Sequence, residues 1–242
     1  LRQAFQLDPS STSVRKSLTQ AYLTHGYIDE AWTTIAPLEN DYTSDPELAS
    51  VLGQTLAAMG DLNGAMPVLR FAWQSNRSDS TLKSYAELLI RSFSHGIKPG
   101  AQELKEMSQL LFIMEERQQE RDGLFDMRLL QADLKATLGM QEAAYQDYLL
   151  LLDYPEARAP RSYHHLQFQT GQTALALGLT DISLASLQEA VLTDPDDLPT
   201  RHALAKAFMA ANLEDEGFST ARSAMQIAPT EIENVLWYSD FM

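Results

Sequence analysis

Residues of matching type recur thirty-four positions apart along this chain, and a fixed period of that size limits the fold more than any composition could. Gly26, Ala31 and Ile35 return as Gly60, Ala65 and Leu69, while Leu18 and Tyr22 return as Leu52 and Leu56. The same phase reappears towards the other end, where Ala190 and Pro195 are followed by Ala224 and Pro229, and Gly171 by Ala205. Such a period marks a stack of supersecondary units, none of which can bury its apolar face without neighbours. The function class it points to is binding.

Each clear unit reads as two helices. In residues 12–45, Val14, Leu18, Ala21 and Tyr22 have helical spacing, and Gly26 ends that helix. A second helix starts near Asp29 with Ala31, Trp32, Ile35 and Leu38 on its apolar face, and Asp45-Pro46 opens the next unit. Residues 46–79 repeat the plan with Leu48, Leu52 and Leu56, a stop at Gly60-Asp61, then Ala65, Leu69 and Ala72. Small residues at Gly53, Ala65 and Ala72 let the helices approach closely. Further clear units are read at 164–197 and 198–231, degenerate ones across 80–163, and partial ones at 1–11 and 232–242. The middle is irregular, with a long helix from about Ala101 to Glu120, a helix pair divided by Gly139, and a loop expected from Tyr154 to Arg161. The chain is thus expected to be one array over 1–242, cut from a longer protein.

These features resemble the tetratricopeptide repeat family, whose unit is a helix-turn-helix of this length. Leu52-Gly53 matches the Leu-Gly pair, and Tyr22 and Phe208 match the Tyr site. Ala31 and Ala65 match the small residue of the second helix, and Pro9, Pro195 and Pro229 match the closing proline. The Trp site departs from the pattern, being Arg15, Ala49, Gln167 and Arg201. The resemblance implies an all-α, right-handed α-solenoid of antiparallel helix pairs, with a concave groove lined by the first helix of each unit. In that register the groove positions are Lys16 and Gln20, Ser50 and Gln54, Phe168 and Gln172, and His202 and Lys206. Glutamine recurs in three of these pairs, and its amide both donates to and accepts from the backbone of an extended ligand. A Lys/Asn grip on a terminal carboxylate, used by some members, is disfavoured because Gln20 and Val51 stand at expected Asn sites.

No catalytic signature competes with this reading. The chain has no nucleophile elbow, zinc-protease motif or phosphate-cradling glycine loop. It has no cysteine, so disulfides and thiolate metal sites are excluded while the compartment stays open. Of the histidines His25, His95, His164, His165 and His202, only the adjacent pair invites a metal reading, and neighbours on a helix point about 100° apart. That pair reads as helix-start polarity. Asp194, Asp196 and Asp197 read as a turn and helix start rather than a calcium loop, since the loop glycine and distal Glu are missing.

Acidic residues outnumber basic ones by 33 to 18, a net charge of −15 that repels nucleic acid and anionic lipid, and an acidic rim including Glu214-Asp215-Glu216 is expected to steer basic partners. No apolar run approaches the roughly 20 residues needed to cross a bilayer. The expectation is a non-enzymatic scaffold or adaptor, without cofactor or metal, for a protein or peptide partner. Arrays resembling it occur in bacterial secretion, exopolysaccharide-export and envelope-assembly machines. Two alternatives stand: a regulatory or substrate-recruiting segment of a larger enzyme or signalling protein, and an array that self-associates through a second interface at Leu110, Phe112 and Ile113.

Overall fold

The computed structural model describes residues 2–93, 99–120 and 125–242; His95 therefore lies outside the described residues. Every regular element among these residues is helical. The first compact unit, residues 1–113, holds α1 (Arg2–Leu7), α2 (Thr12–Thr24), α3 (Ile28–Ile35), α4 (Pro46–Met59), α5 (Leu62–Ser75), α6 (Asp79–Phe93) and the start of α7 (Ala101–Glu120). The second, residues 114–242, holds the rest of α7, then α8 (Phe125–Thr137), α9 (Gln141–Leu152), α10 (Pro160–Ala176), α11 (Thr180–Thr193), α12 (Leu198–Ala210), α13 (Glu214–Ile227) and α14 (Ile232–Phe241).

Among the described residues, five helix pairs reverse direction through the same turn. Gly26, Gly60, Gly139 and Gly178 have φ between 74° and 89°, a left-handed conformation that costs glycine nothing sterically. Asn212, thirty-four residues after Gly178, takes their place with φ 60°, which its short polar side chain tolerates better than most. After each turn a backbone N–H donates to the carbonyl five residues back. The bonds are Tyr27 to Tyr22, Asp61 to Leu56, Met140 to Lys135, Leu179 to Ala174 and Leu213 to Phe208, all between 2.8 and 3.0 Å. This ties off an orphan carbonyl of the outgoing helix while turning the chain back on itself.

Side chains cap the passages into α4 and α12, whereas α10 and α14 start without a side-chain cap. Asp45 Oδ1 accepts from the N–H groups of Glu47 and Leu48 at 2.9 and 3.2 Å, with Pro46 in the first turn of α4. Asp197 does the same for α12, accepting from Thr200 N–H at 2.9 Å, so this part of the acidic turn is a helix start. Arg15 and Arg201, at the two departures from the expected Trp site, share one role. Each guanidinium donates to the carbonyl of the proline six residues upstream, Pro9 at 2.8 Å and Pro195 at 2.6 Å, and also reaches the second helix of its own pair.

Two segments differ from expectation. The second helix of the first unit stops at Ile35 and continues as a 3₁₀ stretch, Ala36–Ser44, because Pro37 cannot donate back and its ring crowds the preceding turn. The Tyr154 to Arg161 segment is not an open loop. A 3₁₀ turn, Pro155–Arg158, folds Ala157 into the core beside Phe125, Tyr148 and Leu166.

Inside the pairs, small residues set the separation. A Cβ built on Gly53 would lie 2.5 Å from Leu69 Cγ, and one on Gly171 would lie 2.5 Å from Leu187 Cγ. One period after Gly171 and Leu187 stand Ala205 and Ala221, both fully buried, so the volume added on one helix is removed from the other. Gly171→Ala should therefore lower unfolding free energy by about 1–3 kcal/mol, and Leu187→Ala in the same chain should recover part of that loss. Urea denaturation of both single variants and the double variant measures the coupling; strictly additive losses would show that the two positions do not share one space.

Candidate binding face of the first helices

The first helices lie side by side within each unit: α2 beside α4 and α4 beside α6 in one, α10 beside α12 in the other. Polar side chains join them. In the first unit, Lys16 of α2 is held at 2.7 Å by Asp45 Oδ2 and at 2.8 Å by Glu47, so the carboxylate that caps α4 with one oxygen anchors α2 with the other. Burial works against the charge on Lys16, but these two carboxylates outweigh it and raise its pKa. Asp45 shows the reciprocal effect: burial opposes its charge, yet Lys16 and the capped N–H groups hold its carboxyl below the ordinary value. Gln54 of α4 donates to Ser84 of α6 at 2.9 Å and to Ser50 at 3.2 Å. Ser50 is buried, and Gln20 is exposed.

In the second unit the bridges are made by imidazoles. His165 Nε2 of α10 meets both oxygens of Asp133 on α8 at 3.0 and 3.1 Å, and Asp133 also accepts from Tyr148 at 2.8 Å. Burial disfavours the charged ring of His165, but the Asp133 carboxylate overrides it and raises the pKa. Burial and Asp133 together push the Tyr148 hydroxyl well above its ordinary value. His164, on the next position, lies 3.2 Å from Thr200 Oγ1 of α12 and stacks parallel to Phe168 at 6.4 Å between ring centroids. His202 of α12 donates to Asn234 Oδ1 of α14 at 2.8 Å and stacks on Trp237 at 3.7 Å. Buried Asn234 spends its amide hydrogens on the carbonyls of Ala224 and Ala228 at the end of α13. Burial, with Lys206 nearby, lowers the His202 pKa despite the hydrogen bond to Asn234.

The eight sequence-derived groove residues thus fall into two groups. Lys16, Ser50, Gln54 and His202 are engaged in bonds within or between neighbouring first helices, and Phe168 packs on Leu187, Ala203, Leu204 and Ala207. Gln20, Gln172 and Lys206 stand exposed. His164 and His165, read as helix-start polarity, are bridging residues that reach Thr200 and Asp133, and His202 reaches Asn234 and Trp237. The one signal available was spacing, since each partner lies close to one period away: Asp133 and His165, His164 and Thr200, His202 and Asn234. At the suggested second interface, Leu110 is wholly enclosed, Ile113 is half-buried, and Phe112 is 60 % exposed.

α2, α10 and α12 contain no Asp or Glu at all. Their paired second helices begin with acids: Asp29 and Glu30 in α3, Asp181 in α11, and Glu214, Asp215 and Glu216 in α13. In these three pairs charge is sorted by helix, whereas α4, α6, α8 and α14 carry acids of their own and α5 carries none.

No family model and no curated protein matches the sequence. Solved structures do. TTC0263, a thermophilic TPR protein of Thermus thermophilus, is 19 % identical with a TM-score of 0.61, over 81 % of this chain and 98 % of its own. A tetratricopeptide repeat protein from Parabacteroides merdae is 11 % identical with a TM-score of 0.66, over 100 % of this chain and 89 % of its own. YrrB, a TPR protein, is 11 % identical with a TM-score of 0.51, over 83 % and 95 %. With the pairing, the left-handed turns and the adjacent first helices already in view, these likenesses establish that the chain has the tetratricopeptide-repeat fold.

Proposed function

We propose that the chain is a non-enzymatic interaction scaffold that holds a peptide or partner segment on the face formed by its first helices. The observation that carries this is the sorting of charge: in a chain of net charge −15, α2, α10 and α12 are free of carboxylates and carry Arg15, Lys16, Arg161, Arg201 and Lys206 beside the imidazoles. A segment bearing neutral or acidic side chains meets no carboxylate from these three helices themselves. The bridges between first helices fix the face before a ligand arrives, which reduces the entropy lost on binding. Gln172 and Lys206 remain exposed to make the contacts. YrrB is described as having an unusual peptide-binding site, which agrees with a peptide as ligand for this fold. A place in a secretion, export or envelope-assembly complex, or beside a catalytic domain, would follow from the identity of the partner.

Photo-crosslinking tests the face directly. With benzoylphenylalanine at Gln172 or Lys206, a partner segment should be trapped and sequenced from the crosslinked fragment, and the same residue at Glu189 on α11 should trap none. Trapping from Glu189 alone would move recognition to the second helices.

The face should also stiffen or loosen with pH. Because the folded-state pKa of His165 is raised above 6.5, its stabilisation is complete below that pH and fades as pH rises through the folded value. The lowered pKa of His202 has the opposite sign: its contribution is present above 6.5 and is lost as pH falls through the folded value. In urea unfolding followed across about pH 5.5 to 8.5, the deficit caused by His165→Gln should be largest at the acid end and shrink towards the alkaline end. A deficit independent of pH would mean that the bond to Asp133 does not depend on the charged ring.

A further inference from the structure

α14 is apolar on two sides, and only one of them is covered. With 3.6 residues to a turn, Asn234, Trp237, Tyr238 and Phe241 share one side, and Ile232, Val235, Leu236 and Ser239 share the side opposite. The inner side is well held. Asn234 donates to the carbonyls of Ala224 and Ala228, Trp237 stacks on His202, and Phe241 meets Phe218 edge-on at 6.2 Å between ring centroids. On the outer side Ile232 is 74 % exposed and Leu236 59 %, with Val235 and Ser239 also exposed between them. The outermost helix of a stack ordinarily turns polar residues to water, and an apolar stripe left open marks a place where something docks.

The period shows what kind of element fits. Ser239 stands one period after Ala205 and two after Gly171. A Cβ on Gly171 would strike Leu187 of α11, and one on Gly217 of α13 would lie 3.4 Å from the Ala205 carbonyl oxygen, so both small residues mark a close approach of a second helix. Val235 stands one period after Arg201, which reaches Ser223 on α13. The outer side of α14 therefore repeats the side on which α12 is covered by α13, with a small residue again in the middle and an aliphatic residue in place of the arginine. The shape left open is that of one more helix.

Charge selects the chemistry of that helix. Glu233 and Asp240 fall along one edge of the stripe, beside Leu236. Neither makes an ion pair among the described residues, and α14 carries no Lys or Arg. A helix with lysine or arginine on its facing edge gains there. A second α14 would bring two more carboxylates and no cation, between chains that each carry −15.

We propose that the outer side of α14 docks an amphipathic helix of a partner protein, laid along it as α13 lies along α12, with aliphatic residues against Ile232, Val235 and Leu236 and cations beside Glu233 and Asp240. This surface is additional to the first-helix face and does not depend on it.

Three synthetic peptides of roughly 15 residues, long enough for a marginal helix in water, test the surface: a leucine stripe flanked by lysine, the same stripe flanked by glutamate, and the lysine peptide shuffled to destroy the stripe at equal charge. Fluorescence anisotropy of the labelled peptides should show saturable binding of the first and weaker binding of the other two, and amide hydrogen exchange should slow in α14 when the first is bound. Ile232→Gln with Leu236→Gln, both at exposed positions, should weaken that binding about tenfold or more. Glu233→Gln with Asp240→Gln should weaken it about threefold, and Gln172→Ala on the first-helix face should leave it unchanged. No binding at millimolar peptide, equal binding of the shuffled peptide, preference for the glutamate-flanked stripe, or protection confined to other helices would overturn the proposal. So would a sedimentation mass showing a dimer that Ile232→Gln with Leu236→Gln dissolves, since a second copy would then occupy the surface.

Discussion

The antiparallel order of this protein rests on one backbone event made five times: a residue enters the left-handed region, and the next N–H returns to the carbonyl five residues behind it. An ordinary L-residue there costs about 1–2 kcal/mol, which is why four of the five positions are glycine and the fifth is asparagine. Because the reversal is the same each time, the second helix of each of these five pairs comes back along its first helix. First helices are thereby brought beside first helices, and any side chain on that face has a counterpart roughly one period away. The face made by the first helices is a consequence of the turn.

The close approach within each pair is a second condition, and it is met by volume rather than by identity. Gly53 against Leu69 and Gly171 against Leu187 fill the same space as Ala205 against Ala221. This explains why much of the fold is legible in the sequence. Period, helix stops at Gly26 and Gly60, and small residues at the crossings all report backbone geometry, and backbone geometry repeats. The same logic accounts for what escapes notice. Asn212 performs a glycine's task, so a search for glycine passes over it, and Pro37 ends α3 early through its missing N–H while leaving the apolar pattern intact.

The candidate site was less legible because its chemistry lies in side-chain reach. Lys16 has the look of a groove cation from its register, yet Asp45 and Glu47 occupy it, and neither is near it in sequence. His164 and His165 are adjacent, but one bridges forward to Thr200 and the other back to Asp133, a division that only opposite directions on one helix can produce. Arg15 and Arg201 look like lapses from a family pattern and are instead matching struts, each holding a proline carbonyl at the entry to its pair.

Net charge is the quantity most easily misread. A value of −15 suggests a surface that attracts basic partners, but six of the 33 acids begin α3, α11 and α13, where a carboxylate is favoured by the helix dipole and by orphan N–H groups. Among the acids on or beside the first helices, Asp45 and Glu47 are committed to Lys16, and Asp133 to His165 and Tyr148. The charge of the whole chain and the charge of the side chains on α2, α10 and α12 therefore differ in sign. At separations beyond a Debye length the acidic total governs encounter, and salt weakens it; at contact, a ligand on α10 or α12 meets Lys206, imidazoles and aromatic rings. Acidity that serves the starts of α3, α11 and α13 leaves α2, α10 and α12 without carboxylates of their own, a local condition that the total does not reveal.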